Sequence, residues 1–103
     1  MIRPAGEGKT RWLVGRAFEE SQAGNRVVLL SNNPAEYEKF MLYYRTEYSS
    51  RCPVEYISST TDIPYDAVVL VDDLHEKTKK SLFDLDKIKT MCKKIFATAK
   101  GPI

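Results

Sequence analysis

Cysteine is scarce. Cys52 and Cys92 are the only two in a chain of 103 residues, and they fall in no metal-ligand or redox spacing. Neither a disulfide framework nor a thiolate metal centre is expected, and two idle thiols suit a reducing cytoplasm. No apolar run approaches the ~20 residues that cross a bilayer. The start Met1-Ile2-Arg3-Pro4 lacks the apolar core of a signal peptide. The sequence therefore predicts a soluble cytoplasmic protein with no membrane partner. Charge of one sign is also lacking: 16 basic residues face 14 acidic ones, for a net charge of +2. No strong overall field would draw in nucleic acid, so a polynucleotide would need a local patch such as Arg11, Arg16 and Lys77 to Lys80, bound with marked salt sensitivity. Glycine and proline number five each and form no linker, and no internal repeat occurs. Residues 1–103 read as a single domain.

What is there is an alternation of helical periodicity with short β-branched runs, the pattern of an α/β fold. Leu13, Val14, Ala17 and Phe18 share one face of a helix expected over about Lys9 to Ala23, with Arg11, Arg16, Glu19 and Glu20 mostly elsewhere; Gly24-Asn25 stops it. Arg26 to Ser31 is nearly continuous in apolar character, as in a parallel strand covered on both faces. Asn33 is placed to cap a second helix beginning at Pro34. Its stripe of Tyr37, Phe40, Met41, Tyr44 and Tyr48 reads as core packing rather than a base-stacking platform. Val54 to Ile57 is a short strand expected near an edge, Ala67 to Val71 the strongest strand, and Ile95 to Thr98 the last. A third helical region is expected from about Glu76 to Lys93, with Leu82, Leu85, Ile88 and Cys92 at helical spacing.

The chemistry is concentrated at two places. Gly6-Glu7-Gly8-Lys9-Thr10 sets glycines directly before a helix, and a phosphate cradle needs such residues so that backbone N–H groups can converge on an anion at the positive end of a helix. This segment resembles the Walker A motif of P-loop NTPases. In that motif the lysine meets the β- and γ-phosphates and the hydroxyl completes the Mg2+ shell, roles that fall to Lys9 and Thr10. The full pattern begins with a further glycine, and Arg3 stands at that position here. Only Met1-Ile2-Arg3 precede the loop, where a buried strand is usual. A glycine turn followed by a chance Lys-Thr is the competing reading of the N-terminus alone.

The second place is Val68-Val69-Leu70-Val71-Asp72-Asp73, an apolar strand ending in acid, similar to a Walker B strand that offers a carboxylate oxygen to Mg2+. Asp72-Asp73-Leu74-His75 resembles the Asp-Glu-x-His signature of superfamily 2 helicases, and Phe96-Ala97-Thr98-Ala99 the Ser-Ala-Thr motif that closes their first RecA-like domain. The resemblance implies a three-layer P-loop (RecA-like) α/β sheet, mainly parallel, with a shortened or missing first strand. Mapped onto the family order, the strands after the P-loop leave an unbroken sheet with the stunted first strand at its edge, a place for self-association or a protein partner. It further implies ATP and Mg2+ as cofactors. Gly6, Glu7, Gly8, Lys9, Thr10 and Arg11 would line the nucleotide with Thr98 at the γ-phosphate, Thr10 and Asp72 would hold the metal, and Asp73 would be the catalytic base. Asp73 is one methylene shorter than the family's glutamate, which predicts weak or partner-dependent hydrolysis.

Two function classes stay open. One is an ATP-binding P-loop protein with weak ATPase activity. The other is a non-enzymatic interaction module on a degenerate P-loop scaffold, suited to a small viral protein that modulates a larger ATPase or helicase in the host cytoplasm. A nucleotide kinase fits less well, since no insertion is long enough for a lid.

Overall fold

The computed structural model describes residues 2–4, 9–72 and 85–99, with side chains for 10–71 and 86–97. Among the described residues, five strands and three α-helices follow one another as β1 Ile2–Pro4, α1 Lys9–Gln22, β2 Val27–Leu30, α2 Pro34–Tyr48, β3 Glu55–Ile57, β4 Val68–Asp72, α3 Leu85–Lys89 and β5 Lys94–Ala99. The strands form one sheet in the order β1-β5-β4-β2-β3, and every pair in it is parallel. The chain is thus α/β around a parallel sheet. The order agrees with the unbroken arrangement expected from the sequence, with the three-residue β1 at one edge and β3 at the other. Pro4, which cannot donate a ladder hydrogen bond, is tolerated on an edge strand.

Alternation along the central strands divides the core into two layers. Val27 and Leu29 of β2, Val68 and Leu70 of β4 and Phe96 of β5 pack with Leu13, Val14 and Ala17 of α1 and Phe40 and Tyr44 of α2. Val28, Leu30, Val69, Val71, Ile95 and Ala97 point to the other face, where Ile88 of α3 meets them. Both faces of β2 are buried throughout, so its sequence had to be apolar at every position. The crossover through α1 runs from β1 towards β2, and that through α3 returns from β4 towards β5. The reversal of direction goes with the change of face.

Local signals set the boundaries of the helices. Gly24 has φ of 86°, and the amides of Gly24 and Asn25 close the end of α1 on the carbonyls of Ser21 and Glu20. Asn33 Oδ1 accepts from the Ala35 amide at 3.0 Å, with Pro34 in the first turn. The tyrosines of α2 are indeed packing groups: Tyr44 is buried and Tyr37 and Tyr48 lean on the same core. Tyr48 stacks on Phe18 at 4.0 Å between ring centroids. Tyr37 donates its hydroxyl to the Val54 carbonyl at 2.6 Å, joining α2 to the chain entering β3.

Two expectations need correction. The third helix does not reach Lys93: α3 ends at Lys89. The Thr90 hydroxyl bonds the Lys87 carbonyl, and the Lys93 amide is drawn to the Ala67 carbonyl at 2.9 Å, which turns the chain into β5. Cys92 accordingly lies in a turn. Glu20, grouped from the sequence with residues mostly off the apolar face of α1, is buried. Its carboxylate accepts from Lys94 Nζ at 3.0 Å and Asn25 Nδ2 at 2.9 Å, partners from β5 and the α1–β2 turn that make burial of a charge tolerable. Lys77 to Lys80 and Leu82 lie outside the described residues.

Candidate phosphate-binding site

In an all-parallel sheet the carboxyl ends of the strands lie along one rim, where ligands of α/β proteins bind. Asp72 pairs in register with Thr98, and Thr98 with Arg3. One row across β4, β5 and β1 therefore carries the expected metal carboxylate, the expected γ-phosphate hydroxyl and the residue standing at the first position of the loop motif. Adjacent strands are ~4.8 Å apart, so Arg3 and Asp72 lie ~10 Å apart with Thr98 between them. These are positions in the backbone.

The start of α1 is held at the same rim. β1 ends at Pro4 and the helix begins at Lys9. Thr10 is the first member of the stripe Thr10, Leu13, Val14 and Ala17, all buried at the spacing that aims one helical face at the sheet. Trp12 meets Phe96 edge-on, ring centroids 6.1 Å apart, two residues before Thr98. The first turn of α1 is thereby fixed above β5, and the positive end of the helix macrodipole sits there. Arg11 lies on the outer side of this turn, its Nε 3.3 Å from Glu47 Oε1 at the far end of α2. It ties the two helices together at the surface.

Lys9 opens α1 and Asp72 closes β4. Gly6, Glu7, Gly8, Asp73 and His75 lie outside the described residues, as do any contacts they make. No cluster of three or more histidine, cysteine, aspartate or glutamate side chains occurs among the described residues. Mg2+ does not require one, since it commonly takes one or two carboxylates and fills its shell with phosphate oxygens and water. Thr10 and Asp72 are oxygen donors of the kind it prefers. Cys52 and Cys92 are free, and burial pushes both thiols above the ordinary cysteine range, making them poor nucleophiles and poor soft-metal ligands at neutral pH. Among the described residues no helix is long and apolar enough to cross a membrane.

The sequence signals did not place Arg3 in a row with Thr98 and Asp72, nor Trp12 against Phe96 of β5. The first depends on which strand lies beside β1 and the second on which strand lies under α1, long-range placements that no local spacing reveals. Comparison with protein-family models, with curated proteins and with solved structures finds no match to this chain.

Proposed function

We propose that this chain is a P-loop protein that binds ATP with Mg2+ at the carboxyl rim of its sheet. The observation that supports the reading most is the strand order: β5 lies between β1 and β4, so the strand leading into Gly6 to Thr10 shares a row with Asp72 and Thr98. The ends of β1, β4 and β5 thus lie side by side on one rim, which supports the reading.

In this reading the backbone of Gly6 to Gly8 and the amino end of α1 cradle the phosphates. Lys9 would neutralise the β- and γ-phosphates, while Thr10 and Asp72 would hold Mg2+, which would supply charge neutralisation across the phosphate chain. Asp73 is the candidate base that orients water for attack on the γ-phosphate. Its short reach makes turnover slow, and acceleration would come from a protein partner's cation. Binding of ATP is therefore the primary activity and hydrolysis the secondary one.

Ligand binding to the native state alone raises its stability, by about 2.7 kcal/mol at a hundredfold excess over Kd. Thermal unfolding followed with increasing ATP and Mg2+ tests the proposal. A midpoint that climbs with ATP, and climbs less without Mg2+, supports it. A midpoint indifferent to millimolar ATP would sink it and favour the non-enzymatic interaction module.

A further inference from the structure

The C-terminal half of α2 and the segment that follows it frame a groove of about 940 Å³. Local chemistry fixes both ends of its wall. Ser49, with φ of 49°, closes the helix by donating its amide to the Arg45 carbonyl at 2.9 Å, and the chain turns back along α2. Further on, the Tyr37 hydroxyl holds the Val54 carbonyl. Tyr37, Met41 and Arg45, on successive helical turns, line one side with Leu42, and Arg51 and Cys52 line the other. Leu42 is 66% exposed. Arg11, Arg16 and Arg26 each pair with a glutamate. Among the described residues neither Arg45 nor Arg51 has an ion-pair partner, and no carboxylate lines the groove.

We propose that this groove docks an acidic segment of a partner protein, whose carboxylates meet Arg45 and Arg51 while an apolar side chain of the same segment covers Leu42 and Met41. Charge complementarity selects this occupant: two guanidinium groups without an acid of their own attract carboxylates and bind them through paired hydrogen bonds. Ser49 and Ser50 add hydroxyls on the same wall. Arg45, in the last turn, also offsets the negative end of the helix. Arg51 lies beyond the helix and has no such duty. A small anion fits less well, because most of the lining is exposed and small ligands are held where most of their surface is buried. A polynucleotide also fits less well. Single strands use aromatic faces for stacking, and the Tyr37 ring is packed against Tyr56, 5.3 Å between centroids. The groove shares no residue with the proposed nucleotide site, so the two proposals stand or fall separately.

The test selects phage-displayed random peptides on the immobilised intact chain. The enriched peptides, fluorescently labelled, are then titrated by anisotropy with the wild type, Arg45→Ala, Arg51→Ala and Leu42→Ser, with circular dichroism as the control of folding. Enriched sequences are expected to combine aspartate or glutamate with a large apolar residue. Each arginine variant should weaken them about 10-fold, the scale of one charged hydrogen-bonding group, and the loss should shrink at high salt. Leu42→Ser should weaken them at any salt. Arg51→Ala, outside every helix and strand, decides the matter if Arg45→Ala fails to fold. Failure to enrich acidic peptides, or peptides that bind every variant as tightly as the wild type, overturns the proposal. A labelled oligothymidylate that binds more tightly than the selected peptides, and loses affinity in the same variants, also overturns it and assigns the groove to a polynucleotide.

Discussion

Trp12 in the first turn of α1 and Phe96 of β5 meet at an interplanar angle of 89°, the edge-to-face geometry in which one ring's positive rim addresses the other's negative face. The contact pins the beginning of a helix to the strand that carries Thr98. Removing the ring should cost stability and loosen the helix start together. Trp12→Ala is expected to lower unfolding free energy by about 2–4 kcal/mol, measured by chemical denaturation. It should also weaken ATP binding more than Trp12→Phe does. A variant as stable as the wild type would show that the contact contributes little.

The carboxylate of Glu20 gives an acid-side prediction. Burial pushes its pKa up, but hydrogen bonds from Lys94 and Asn25 and the nearby charges of Lys94 and Lys93 outweigh this and hold it below the ordinary glutamate value of 4.5. A carboxyl more acidic in the folded state contributes stability that is complete above the unfolded pKa and is lost as pH falls through the folded one. Glu20→Gln should therefore cost about 1 kcal/mol at neutral pH, with the gap to the wild type closing below about pH 4.5. Denaturation across pH 3 to 7 measures it (about four pH units spanning the window). A constant gap would show that the charge of Glu20 is not what stabilises this corner.

Two glycines of the α1 region should respond in opposite directions. At Gly15 an added methyl would lie 3.8 Å from the Tyr48 hydroxyl, an ordinary contact, and alanine is the better helix former. Gly15→Ala is expected to stabilise by about 0.5–1 kcal/mol. Gly24 has open space around it but a left-handed backbone with φ of 86°, so Gly24→Ala should destabilise by about 1 kcal/mol. Thermal unfolding of the two variants should move in opposite directions, and a shared sign would contradict the assigned backbone roles.

The fold was legible where local chemistry decides it. Asn33-Pro34 announces the start of α2, Gly24 the end of α1, and the unbroken apolar run Val27 to Leu30 a strand with no solvent face. Glu20 escaped because its partner Lys94 lies in the last strand, and helical periodicity cannot register a charge neutralised from so far along the chain. The end of α3 escaped for a related reason: Ile88 and Cys92 keep helical spacing, but the Lys93 amide is claimed by Ala67. For the candidate site, the sequence offered residue types and their order along the chain. It could not offer the row Arg3, Thr98 and Asp72, which exists only once β5 has inserted between β1 and β4.

The most direct test of nucleotide binding is calorimetric titration of the intact chain with ATP and Mg2+, beside Lys9→Ala and Asp72→Ala. The account predicts a saturable heat for one nucleotide per chain in the wild type, abolished in Lys9→Ala and reduced in Asp72→Ala chiefly when Mg2+ is present. Absence of heat in the wild type, or an isotherm untouched by loss of Lys9, would contradict it.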